Sequence, residues 1–505
     1  ARAIDAQALG DVTVANSGSL FADGKYAYGV YAVSGSGDLA VSNAASGEIG
    51  FYSYYARGTG VFGVATQGDV AIDNAGQIAG YAYGQSVGVF AVASQGSVGV
   101  HNGGAIYVAS YQGVAAGMFA RADYGVATGQ NDGTLNAYSE YGTAFGMLVR
   151  GDHAEAGNSG DIEASGFYAA TGIAASSYYG TSVNNAGGSI FAIAVGEGIG
   201  VDAQSLYGDV MVDNASSIEA VGVVLGARGI QAVSGEGDVD VVNSGEIYAG
   251  SLYGDAIGIY GYSVAGDVAI DNVGDITAVS YYGLADGIFA SGASVDVANA
   301  GAIIAAGYSW AAGIEAQGAS DAVVQNSGDV YAVAMGPGGQ AFGLYGTGGD
   351  SLDIGNSGSL EAQGYYATGI EASALGDITV DNGGSIIAGY ANADGGFYSA
   401  LATGINANSN GEGASVEIAS SGRTKPSSLS LGQWSVCRAT LIGYLSATTW
   451  VNSARATAPV TMSLTPSPEP NSAPPVENWM MPSLPASAKP LIAALMVSDE
   501  VQLMA

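Results

Sequence analysis

The feature that most constrains this chain is a motif that returns at a fixed interval. Gly208-Asp209-Val210-Met211-Val212-Asp213-Asn214 is followed by Gly237-Asp238-Val239-Asp240-Val241-Val242-Asn243 and by Gly266-Asp267-Val268-Ala269-Ile270-Asp271-Asn272. The closing asparagines stand 29 residues apart (243 − 214 and 272 − 243). A period of this size marks a repeat architecture, in which each unit buries its apolar face against its neighbours. The same marker occurs at Asn16, Asn43, Asn74, Asn102, Asn131, Asn158, Asn185, Asn299, Asn326, Asn356 and Asn382, with successive gaps of 26 to 31 residues. A decayed copy, with Ser420 in the asparagine's place, ends the series.

Each unit carries three apolar segments in the same order. The first alternates into the marker, as in Val70/Ile72 and Ile378/Val380. The second reads apolar-x-Ala, as in Ile247-Tyr248-Ala249. The third reads Gly-apolar-x-Ala, as in Gly287-Ile288-Phe289-Ala290 and Gly313-Ile314-Glu315-Ala316. All three have period two, the mark of a strand with one buried face, and no helical period persists. Gly, Asn, Asp and Ser fill the gaps, as turns require. The expected fold is an all-β parallel β-helix (β-solenoid) with about three short strands per coil of roughly 28 residues, and about 14–15 coils over residues 1–422. At the usual strand spacing such a stack makes a rod roughly 70 Å long.

Repetition sets like residues in vertical ladders. Asparagines in such a ladder can hydrogen-bond their amides from coil to coil, which makes Asn16, Asn43, Asn74, Asn102, Asn214, Asn243, Asn272, Asn299, Asn326, Asn356 and Asn382 structural rather than catalytic. Asp209, Asp238 and Asp267 share one position in three successive coils, and Asp11, Asp38, Asp69 and Asp377 share it elsewhere. Stacked carboxylates in water repel by roughly 0.9 kcal/mol per pair, a tolerable cost at a solvated turn. A row of weak calcium sites is the alternative reading of Asp209, Asp238 and Asp267, although Ser97, Ser294 and Ser351 interrupt the row. Tyrosine pairs recur in what reads as the turn between the second and third strands: Tyr54-Tyr55, Tyr178-Tyr179, Tyr281-Tyr282 and Tyr365-Tyr366. They form a candidate binding stripe for sugars or proteins, with ordinary outward strand filling as the plainer account.

The net charge of −34 makes nucleic acid and anionic lipid poor partners. The two histidines, His101 and His153, have no second ligand at zinc spacing, and the single Cys437 allows no intrachain disulfide. No nucleophile elbow or phosphate-binding Gly-Lys-Ser/Thr motif is present. The expectation is therefore no catalytic residue and no cofactor, calcium apart. Beyond residue 422 the pattern stops. Residues 423–505 hold 10 of the 11 prolines and read as a non-repetitive, largely disordered tail, or as a tail out of frame with the repeats.

Units such as Gly266-Asp267-Val268-Ala269-Ile270-Asp271-Asn272-Val273-Gly274-Asp275-Ile276-Thr277-Ala278, closing on Gly287-Ile288-Phe289-Ala290, resemble the passenger repeats of bacterial autotransporters (type V secretion). The resemblance covers roughly residues 1–422. It implies a Gram-negative protein exported to the cell surface and acting as an adhesin or virulence-associated factor. Its partners would be a host or neighbouring-cell surface protein or glycan, or another copy of itself. It also implies an outer-membrane barrel, whose amphipathic strands this chain does not contain. The leading expectation is a non-enzymatic rod for adhesion or self-association. A polysaccharide lyase or glycoside hydrolase and a calcium-stabilised spacer are the alternatives, and converging carboxylates in a cleft would favour the enzyme.

Overall fold

A computed structural model describes residues 1–389, 401–411 and 413–426. Their regular structure is entirely β-strand, wound as a parallel solenoid with no helix. Each coil has the three expected strands. In one coil, Val239–Asn243 is the marker strand, Ile247–Ser251 the second strand and Asp255–Ser263 the third. Each pairs in parallel with its counterparts in the coils before and after: Asn243 with Asn214 and Asn272, Ile247 with Ile218 and Ile276, Ile259 with Ile230 and Ile288. Thirteen intervals separate the fourteen markers from Asn16 to Asn382, in agreement with about 13 turns.

Three strands per coil give two sheets rather than three. The second strands stand alone in a fifteen-stranded sheet, whereas third and marker strands share a sheet of twenty-eight. The two are joined because Thr143–Asn158 and Ala169–Asn185 each run through both positions without a break. A register shift between Gly151 and His153 absorbs the corner. Residues Arg423–Pro426 pair with Ser385–Ala388 as the last second strand, so pairing runs four residues past the boundary read at 422. The proposed disorder and frame of the tail concern residues outside the described ones from 427 onward.

The core follows from alternation. In the coil above, Val239, Val241, Ile247, Ala249, Ala256 and Ile259 are buried, while Asp240 and Val242 face out. The second-strand Ile and the third-strand Gly meet across the interior. A Cβ on Gly287 would lie under 3.0 Å from both Ile303 Cγ2 and the carbonyl oxygen of Gly313. The same collision awaits a Cβ on Gly200, Gly229, Gly258 or Gly369. The third strand therefore bends at this glycine, which drops out of the pairing: Asp286 faces Ala312 and Ile288 faces Ile314, with nothing paired between.

Candidate functional site

The marker asparagines form one buried line. The Nδ2 of each donates to the Oδ1 of the next at 2.6–2.8 Å, without a gap from Asn16 to Asn382. Most also donate to a carbonyl two residues on, as Asn243 does to Gly245. The line ends on Ser420 Oγ, reached by Asn382 at 3.3 Å. Buried amides paired on both sides leave nothing free to act on a substrate. Over this corner, where Ala298 and Gly355 stand among larger residues, a shallow trough of about 390 Å³ opens between Asp271, Gln325 and Asp381.

The aspartate row has a task that alternation alone did not suggest. Asp209 Oδ1 accepts the backbone N–H of Asp238, Asp238 that of Asp267, and Asp267 that of Ser294, at 2.8–3.0 Å. Asp11, Asp38 and Asp69 do the same for Asp38, Asp69 and Ser97. Each carboxylate caps a donor at the corner where pairing has not yet begun. Among the described residues no group of three or more His, Cys, Asp or Glu is placed to hold a metal ion. A second corner device is Ser-x-x-Gly. Ser234 Oγ donates to Gly208 O of the preceding coil and accepts the N–H of Gly237, both at 2.9 Å, and Ser263 and Ser280 repeat the pattern. The recurrence of Ser three residues before Gly was the signal available for it.

The tyrosine pairs divide between two corners. Tyr54-Tyr55, Tyr281-Tyr282 and Tyr365-Tyr366 lie at the turn between second and third strands, with all but the half-buried Tyr281 exposed. Tyr178 and Tyr179 do not. They sit within the continuous strand Ala169–Asn185, at the corner between third and marker positions, where Tyr179 meets Tyr207 at 6.2 Å. Tyr178-Tyr179-Gly180 has the same sequence as Tyr281-Tyr282-Gly283 at the other turn, so the pair reads as the wrong turn. At the first corner the rings run from coil to coil: Tyr83, Tyr111 and Tyr141 at 5.1 Å, and Tyr253, Tyr282 and Tyr308 at 5.4 and 5.9 Å. Val224 and Leu225 fill the interval and are exposed too.

Beside this corner the third strands carry an outer groove, marked by outward side chains that are nonetheless buried, such as Asp286, Glu315 and Phe342. The bend at the third-strand glycine turns the residues flanking the inward Gly-apolar pair toward each other on the outer side, so Tyr28 meets Tyr31 at 5.4 Å and Phe342 meets Tyr345 at 5.3 Å. In the first coils the groove is a parallel stack of Tyr31, Phe62, Phe90 and Phe119, with planes within 5° and centroids 4.8–5.1 Å apart. Farther along it takes up charge. Gln204 and Gln231 both donate to Asp202, and Arg228 pairs with Glu197 at 2.5 Å. Asp286 and Glu315, 7% and 8% exposed, lie beneath the surface. Asp286 accepts the indole N–H of Trp310 at 3.0 Å, and Glu315 accepts Gln317 at 2.5 Å.

Burial, reinforced by the nearby Glu315 charge, pushes the Asp286 carboxyl up to about 8. Burial likewise raises Glu315, Glu371 and Asp202. A carboxyl raised in the folded state stabilises the fold in its neutral form. That contribution is complete below the unfolded value near 4 and is lost as pH rises through about 8. Asp286 alone should remove about 2 kcal/mol between about pH 6 and pH 8. Asp286→Asn should flatten this fall, and thermal melts of parent and variant across that range would show it. Parallel melting curves would refute it.

Compared with protein-family models, with curated proteins and with solved structures, the chain matches none.

Proposed function

We propose that the chain is a non-enzymatic rod, displayed on a Gram-negative cell surface as an autotransporter passenger, that acts in adhesion or self-association. The observation that carries this reading is the apolar corner between second and third strands. Phenol rings and aliphatic side chains stay exposed there through successive coils, instead of being scattered singly. An exposed apolar line on a strongly acidic chain, interrupted where Tyr111 and Val195 are half-buried, is unusual for a surface with no partner. Tyrosine offers contact area and a hydroxyl at low entropic cost. Beads coated with the full chain should cluster or bind epithelial cells. The Tyr253→Ser/Tyr282→Ser/Tyr308→Ser variant should lose at least tenfold in that binding, while Tyr178→Ser/Tyr179→Ser at the other corner should not. Full binding by a folded triple variant would sink the assignment.

One observation favours a second reading, a polysaccharide-degrading enzyme. Asp286, neutral near pH 7, lies within electrostatic reach of Glu315 in the next coil, and a glycosidase needs a protonated carboxyl beside an ionised one. Release of reducing ends from a polysaccharide panel, abolished by Asp286→Asn, would establish it.

A further inference from the structure

The groove outside the third strands already holds guanidinium groups on its rings, and the chain supplies them itself. Arg2 lies 3.6 Å from the centroid of Tyr31, Arg57 4.4 Å from that of Phe90, and Arg228 5.6 Å from that of Tyr260. Arg57 makes this arrangement with Nε and Nη2 buried and without a hydrogen-bond partner, so ring faces and local field hold it. The solenoid thus shows three times what its groove accepts.

The supply then stops. From Arg228 to Arg423 the sequence has no Lys or Arg, against 22 Asp and Glu. The groove continues through this stretch and becomes better furnished for a cation. Trp310, Phe342 and Tyr345 form a cluster with centroids 4.5–5.5 Å apart and planes tilted by 41–73°. A T-shaped pair uses the face of only one of its two rings. Glu315 stands in the same ladder as Phe289 and Tyr345, and Glu371 follows one coil later. Asp286 fixes the indole of Trp310 from below. Among the described residues no cation lies over these three rings.

We propose that this part of the groove receives a guanidinium group from outside, the arginine side chain of a basic partner protein, on the half-buried Trp310, Tyr345 and Glu371, with Phe342 and Glu315, each 8% exposed, beneath them. The planar guanidinium suits a flat ring on one side and a carboxylate at its edge, which a compact ammonium fits less well. The acidic surface around it draws a basic partner in and raises the rate of encounter. The site is separate from the tyrosine corner, and it does not depend on export or adhesion.

The full chain can be titrated with hexaarginine by calorimetry and by tryptophan fluorescence, with hexalysine and hexaglutamate as comparisons. Hexaarginine should bind more tightly than hexalysine, and hexaglutamate not at all. Trp310→Ala, Tyr345→Ala and Glu315→Gln should each weaken hexaarginine about tenfold, a size within the range of a desolvated cation–ring contact. Trp310→Phe should keep most of the affinity, and Tyr365→Ala, at the corner, all of it. Melting curves on each variant separate lost binding from lost structure. Binding that salt weakens but no groove variant changes would mean diffuse charge attraction, and would overturn the proposal. Binding that appears only after Arg438, Arg455 and Lys489 are replaced by Gln would give the groove to the chain's own tail, and would overturn it as well.

Discussion

Asn243→Asp is expected to destabilise the solenoid by about 3–5 kcal/mol at neutral pH, although it changes one atom group and opens no cavity. Asn243 donates to Asn272 Oδ1 at 2.6 Å and to Gly245 O at 3.1 Å, and accepts from Asn214 at 2.7 Å. Aspartate keeps the acceptor and loses both donors. It also sets an anion against the Oδ1 of Asn272 at a fully buried position. Each buried group left unpaired costs about 1–3 kcal/mol, more when charged. Asn243→Ala removes the same bonds without the charge and should cost slightly less. Asp238→Ala, an exposed cap in the same coil, should cost about 1 kcal/mol. The buried Asp introduced at 243 would have a raised pKa, so its variant should recover stability as pH falls and the protonated carboxyl donates again. In a solenoid each coil is supported only by its neighbours, so hydrogen exchange should rise first in the coils of Asn214, Asn243 and Asn272. Equal melting of Asn243→Asp and parent at neutral pH would remove the amide ladder from any account of this fold's stability.

How far the sequence reaches depends on which geometry a residue answers to. The coil was readable because every unit states the same three strands, so Val239/Val241, Ile247/Ala249 and Ile259 mark the interior through simple alternation. The asparagine line was readable because a one-residue error in register would have broken the recurrence. Alternation fails where a strand is not straight. Asp286 and Phe289 flank a bend and end on the same side, so the groove and its buried carboxylates cannot be foreseen from a period of two. Glu315, in the run Gly313-Ile314-Glu315-Ala316, reads as an ordinary outward residue, yet it is 8% exposed. Corners are the other blind spot. Tyr178 and Tyr179 read as the wrong turn because Tyr-Tyr-Gly there repeats Tyr281-Tyr282-Gly283, while the strand around them runs on through the corner. The Asp209 row looked like bare solvated charge because its partner, a backbone N–H, belongs to the next coil and carries no sequence signature.

Gly287→Val should cost about 3–5 kcal/mol, whereas Gly99→Val should be neutral or slightly stabilising, although both place the same β-branched side chain in a strand. A Cβ at Gly99, on the outer face of its marker strand, has nothing within 4 Å. Valine there gains strand propensity and loses the unfolded-state freedom of glycine. A Cβ at Gly287 would meet Ile303 Cγ2 and the carbonyl oxygen of Gly313 at under 3.0 Å. The isoleucine could change rotamer, but the carbonyl belongs to the backbone of the next coil, where Ala312 and Ile314 on either side are held in the sheet. Overpacking of a dense interior costs about 1–3 kcal/mol where side chains can move, and more where backbone must. Gly287→Ala should already show most of the loss, since the first added carbon makes both collisions. Ile303→Ala combined with Gly287→Ala should recover only the part due to the side chain, because the clash with Gly313 remains. If Gly287→Ala melts with the parent, the bend does not require glycine, and the outer groove that depends on that bend would need another cause.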